Sequence, residues 1–193
     1  KDEEILNCVH YHHADYLKQA EISEKSLAYL TYYADNVASA TDRREKEELT
    51  EGAMFDRNVP LRSVFNLLNG NQTVYHYAEQ ILDDEGTINY PQQQQIKMTK
   101  EFYKKVLANI TENLRGIAFT EEYLNSLLAV LEANLSYVPS STAKKEVEDI
   151  SLFDHVKITA GVAQCIQQYL EEQKESNYKK KLLSGAKTCK NEN

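Results

Sequence analysis

Apolar residues recur at helical spacing along most of the chain. At about 100° per residue, Ile5, Val9, His12 and Tyr16 fall on one stripe, with Leu6 and His13 at its margin. This predicts an amphipathic helix over 5–17, with His10 pointing away from the stripe. A second helix is expected from Ser23, a good N-cap type, to about Arg44. Leu27, Leu30, Ala34, Val37 and Ala38 form its buried stripe. Asp35 lies at the edge of that stripe, among small residues that would let another helix come close. Asp42 to Glu51 reads as a solvated helix end.

From Gly52 to Met98 the period is lost among Pro60, Gly70, Gly86, Pro91 and the run Gln92 to Gln95. Short apolar pieces such as Val64-Phe65-Asn66-Leu67-Leu68 suggest a turn of helix or a strand, inside an insertion that is partly extended and partly mobile. Helical spacing returns at Phe102, Val106, Ile110 and Leu114, capped by Thr99 and ended by Gly116. Thr120 caps the next helix, where Phe119 can staple to Leu124 and Glu121 and Glu122 suit the helix dipole. Leu124, Leu127, Leu128, Leu131 and Leu135 are its core face, up to Pro139. The last long helix runs from Ser151 to about Glu172, with Val156, Thr159, Val162, Ala163, Ile166 and Leu170 on one face and His155 near its centre. The fold class is therefore mainly α-helical. One domain over 1–175 carries an insertion at about 52–98, and 176–193 is a basic polar tail or linker.

Composition narrows the function. A formal charge of −8 argues against holding nucleic acid by bulk electrostatics, though it leaves room for a nuclease whose metal ions supply the positive charge. Cys8, Cys165 and Cys189 are odd in number and lack C-x-x-C spacing, which disfavours a zinc ribbon or a disulfide framework and suits a reducing, cytoplasmic setting. No apolar run approaches the roughly 20 residues of a membrane span, so no membrane partner is expected. The chain opens Lys1-Asp2-Glu3-Glu4 without a methionine, which suggests a piece of a longer protein.

Candidate chemistry concentrates on three predicted helices. His12 with His13, Asp35, and His155 each stand on or beside a buried face, and imidazole with carboxylate suits divalent transition metals. The bland alternative is real: a lone histidine on an apolar face is more often a core residue than a ligand. Asp154 is explained by a capping box with Ser151. His76 lies in the irregular insertion and carries no functional weight. Phosphate-loop, dinucleotide and nucleophile-elbow motifs are absent. The thirteen tyrosines are scattered over several helices and do not suggest a stacking platform for bases.

Four blocks carry a family resemblance: Val9-His10-Tyr11-His12-His13; Leu27 to Ser39 with Thr41-Asp42-Arg43-Arg44; Ser136 to Thr142; and Asp149 to Ala160. In this order they resemble the amino-terminal HD domain of the large subunit of type III-A CRISPR effector complexes, which act in antiviral defence. The resemblance implies a permuted HD-domain-like helical fold. It implies His12 and Asp35 as catalytic metal-centre residues, with His13 and His155 as further metal ligands. The cofactor would be a divalent transition metal (Mn, Ni or Co).

The implied activity is metal-dependent cleavage of single-stranded DNA triggered by target RNA. The implied partners are the other Csm effector subunits and guide RNA. Cyclic oligoadenylate synthesis from ATP belongs to Palm domains marked by Gly-Gly-Asp-Asp, which this sequence lacks. The sequence also has no His-Asp dipeptide, so that part of the motif is expected upstream. Two alternatives stand beside this reading: a docking module with a degenerate site, and an HD phosphohydrolase of small nucleotides.

Overall fold

Polar side chains that satisfy free backbone N–H groups set the helix starts at Lys100 and Leu152, and the helix starts of the second half fall close to where the spacing puts them. The structure, a computed structural model, describes residues 2–42, 54–70, 72–82, 86–94, 96–118 and 120–185. Its helices are α1 (Asp2–His10), α2 (Ala14–Leu17), α3 (Ala28–Asp42), α4 (Lys100–Leu114), α5 (Glu121–Leu135), α6 (Leu152–Glu172) and α7 (Tyr178–Gly185), with a 3₁₀ helix at Val64–Asn69. Among the described residues the extended segments pair only as isolated bridges. The molecule is mainly α-helical, as expected. It divides into two units: residues 1–41 with 156–193, and residues 42–155.

In the first unit, Leu17, Ala28, Tyr29, Leu30, Leu170 and Leu182 form a buried cluster, flanked by Tyr11, Tyr33, Ile166 and Tyr178. Leu182 belongs to α7, so residues 178–185, expected as linker, form a helix that contributes to this core. The Asn177 amide donates to the Glu24 carboxylate at 2.7 Å, and the Lys179 N–H donates to the Glu24 carbonyl at 3.1 Å.

The helix expected over 5–17 is broken. Tyr11, His12 and His13 form a bend between α1 and α2. The His12 imidazole takes the Val9 carbonyl, which the His13 N–H would take in a continuous helix, so a side chain outcompetes the backbone. Ile5, Val9 and Tyr16, expected as a core stripe, are exposed. Nor does Ser23 cap α3, which starts five residues later than expected: its carbonyl closes a turn onto the Ser26 N–H at 2.9 Å. Leu30, Ala34 and Ala38 are buried as expected, whereas Leu27 is exposed. The expected end near Arg44 lies outside the described residues.

In the second unit, α4 and α5 pack on each other, and Met98, Phe102, Val106 and Val138 form the core with Ile81, Ile110, Leu135 and Leu152 against it. Thr99 caps α4 as predicted, accepting from the Phe102 N–H at 3.2 Å. Gly116 follows the end of α4 with φ of 77°, a left-handed position that glycine adopts without a Cβ penalty. Thr120 is the N-cap residue of α5, but its side chain makes no capping bond. Phe119 lies outside the described residues. Leu124 and Leu128 are exposed, so the core face of α5 is narrower than the leucine spacing implies.

The irregular region is held by polar contacts. The Asn66 side chain accepts from the Tyr75 N–H and donates to the Tyr75 carbonyl, both at 3.0 Å. Arg62 pairs with the buried carboxylate of Glu148 at 3.0 Å.

Candidate metal centre

The expected ligands start from a clamp that sequence spacing did not show. The Glu4 carboxylate on α1 accepts from the Ser26 hydroxyl at 2.6 Å and from the Leu27 N–H, next to the start of α3. It satisfies donors at the helix N-terminus and suits the dipole there. One turn on, the Cys8 thiol lies near the Thr31 side chain: burial pushes the thiol up, Thr31 draws it down, and the Glu4 charge raises it again.

Glu4 with Ser26 and Leu27, then Cys8 with Thr31, set α1 and α3 running the same way in steps of four residues. Asp35 lies one turn beyond Thr31 on α3, whereas His12 lies past the end of α1, in the bend. Asp35 is half-buried on α3, between the buried Ala34 and Ala38 one turn on.

His12 Nδ1 donates to the Val9 carbonyl at 2.5 Å. A carbonyl only accepts, so the proton of the neutral ring sits on Nδ1 and the Nε2 lone pair is left for another partner. Metal-binding imidazoles are commonly oriented this way. The His12 and His13 rings lie 3.9 Å apart, inclined at 43°. His13 sits in the N-cap position of α2 with extended backbone, and its imidazole makes no capping bond.

His155 is buried in the first turn of α6, and it belongs to the second unit. Beside it Asp154 is explained by capping: its N–H donates to the Ser151 oxygen at 3.0 Å and the Ser151 hydroxyl donates to its carboxylate at 2.7 Å. The structure thus brings His12 and His13 together. Among the described residues no group of three or more His, Cys, Asp or Glu side chains converges as a metal-holding set. Sequence reading missed Glu4 and Thr31; an acid one turn before Cys8 and a serine two before the helix were the available signal.

No protein-family model matches the chain. Three relatives, each named a subtype III-A CRISPR system single-strand-specific deoxyribonuclease, Cas10/Csm1, align over nearly all of it. The Mycobacterium tuberculosis protein is 36% identical over 99% of this chain, that of Enterococcus italicus 37% over 93%, and that of Streptococcus thermophilus 33% over 94%. The chain spans 24% of the length of each. Among solved structures, a Csm1–Csm4 cassette in complex with cA4 matches with a TM-score of 0.48 at 29% identity, over 70% of this chain and 16% of that one. Csm1 of T. onnurineus matches with a TM-score of 0.49 at 28% identity, over the same shares. By sequence, the chain is homologous to a segment, about a quarter in length, of the subtype III-A Cas10/Csm1 subunits.

Proposed function

We propose that this chain is the HD-like part of a type III-A effector large subunit and contributes to cleavage of single-stranded DNA. The observation that supports the reading is the His12–His13 pair, with the His12 ring held by the Val9 carbonyl so that Nε2 is left for another partner. The names of the relatives support it by kinship.

The residues present fit part of a divalent metal shell. His12 would bind through Nε2, its ring held by the Val9 carbonyl, with His13 and the Asp35 carboxylate as neighbouring donors. A bound Mn, Ni or Co ion would supply Lewis acidity, making water easier to deprotonate and neutralising phosphoryl charge. The chain's own contribution is orientation: the bend fixes the His12 tautomer, and the Glu4 clamp fixes the level of α1 along α3. Further ligands, a His-Asp dyad among them, come from elsewhere in the subunit. Cyclic oligoadenylate synthesis is assigned to other domains, and the assembly partners are the remaining Csm subunits with guide RNA and activating target RNA.

The test is metal titration of the chain followed by a cleavage assay of the whole subunit. The 193-residue chain is expected to bind Mn²⁺ or Ni²⁺ weakly and to cut single-stranded DNA little. His12→Ala and Asp35→Ala should each abolish that binding, and His155→Ala belongs in the same series. Strong cleavage by the chain alone, lost in His12→Ala, would overturn the need for outside ligands. The lack of a three-ligand cluster among the described residues favours a second reading, a docking module with a degenerate site. Unchanged DNA cleavage by a folded Asp35→Ala subunit would establish that second reading instead.

A further inference from the structure

The bend that carries His12 and His13 also gathers aromatic rings that the sequence left scattered. His10 and Tyr11 meet edge to face, with centroids 4.7 Å apart at 85°, and Tyr16 joins His10 at 5.9 Å and 49°. The three are not equally exposed. Tyr11 is half-buried and packs on the core around Leu17 and Tyr29, so it anchors the group. Tyr16 is 59% exposed and His10 is exposed, so both offer ring surface to solvent. Tyr16, which the spacing placed on a buried stripe, is turned outward instead.

Stacking on unpaired bases is the chemistry that such rings supply. In a duplex both faces of each base are covered by neighbouring bases; in a single strand they are open. Aromatic side chains bind such faces whatever the base, since every base has a π-face. The relatives are named single-strand-specific deoxyribonucleases, and open base faces are one feature by which a single strand differs from a duplex.

We infer that His10 and Tyr16, steadied by Tyr11, form a stacking platform for unpaired bases of single-stranded DNA, one ring on either side of the bend that carries the histidine pair. The inference rests on the nuclease reading above and deepens it. The platform holds the strand by its bases, which suits an acidic chain that cannot hold it by phosphates alone.

The test compares two single-stranded oligodeoxynucleotides of equal length and charge, one bearing bases with a 2-aminopurine reporter and one abasic throughout. Their affinities for the 193-residue chain are measured by fluorescence anisotropy. The wild-type chain is expected to prefer the base-bearing strand by about tenfold and to quench the reporter by stacking. Tyr16→Leu should remove the preference and the quenching, and Tyr16→Phe should retain both. Circular dichroism checks that each variant is folded.

Equal wild-type affinity for the two strands overturns the platform, as does a preference that survives Tyr16→Leu. A chain that binds neither strand overturns it as well. The nuclease reading is then judged separately, by metal titration and by cleavage in Asp35→Ala, neither of which depends on Tyr16.

Discussion

The core of the first unit and the 61–77 segment of the second are built on opposite rules. The first packs Leu17, Leu30, Leu170 and Leu182 inward from four helices. The second turns Asn66 and Ser63 inward, at 4% and 2% exposure, while Phe65 and Leu68 of the same 3₁₀ helix point out at 65% and 83%. In the first, burial of apolar surface sets position. In the second, side-chain amides and hydroxyls stand in for missing backbone partners: Asn66 grips both polar groups of Tyr75, and Ser63 caps Phe65. Apolar spacing therefore marks a core only where a regular helix carries it.

Three substitutions break or sharpen this contrast. Leu170→Ala, at 1% exposure, should cost the most, about 2–5 kcal/mol, because it leaves a cavity in a packed apolar cluster. Urea unfolding followed by circular dichroism would measure it; a cost below about 1 kcal/mol would mean that the cluster is not the organising core of its unit. Asn66→Ala comes next. The Tyr75 carbonyl keeps the Ser63 N–H at 3.0 Å, so only the Tyr75 N–H is orphaned, at about 1–3 kcal/mol. Hydrogen exchange should show faster exchange of the Ser63 and Tyr75 amides. Unchanged exchange there would show that the segment is held by something other than its polar grips.

The smallest effect concerns Tyr103, on α4. Burial, and then the nearby Glu79 charge, push its phenol above the ordinary value of 10.0. A raised folded pKa means that the unfolded chain ionises first as pH rises. The stability tied to the neutral phenol is therefore fully present below about pH 10 and is lost through the folded value. Tyr103→Phe also removes the bond to the Arg57 carbonyl, worth about 0.5–1.5 kcal/mol. At pH 8 the variant should be slightly less stable than wild type, and the gap should close above pH 10. Thermal melting at the two pH values decides it; a gap that is constant with pH would remove the titration argument.

The second half of the fold was legible because its helix starts follow local rules. Thr99, Ser151 and Gly116 each act within four residues of their own position, so sequence alone displays them. The amino-terminal part was not, because its decisive contacts join residues 22 or 23 apart, Glu4 with Ser26 and Leu27. His12 posed a related problem. The wheel put His12 on a buried stripe, but a wheel assumes an unbroken helix, and the His12 ring takes the Val9 carbonyl where the helix ends. The candidate residues His12, His13 and Asp35 were visible as types, while the clamp between α1 and α3 was not. Leu182 was hidden among lysines that read as a tail.

The Glu4 clamp also bears on which insertions and deletions this segment can absorb. The alignment of α1 with α3 is set by one carboxylate on Ser26 and Leu27, and not by the length of chain between Leu17 and Ser26. Residues added or removed at the exposed Gln19 or Glu21 would be taken up by the loop without shifting the two helices past each other. A single residue inserted between Glu4 and His12 would do the reverse. It would leave the loop untouched and rotate everything after it by about 100° around α1. Length variation in this region should therefore collect after the bend and be excluded from the stretch between Glu4 and His12.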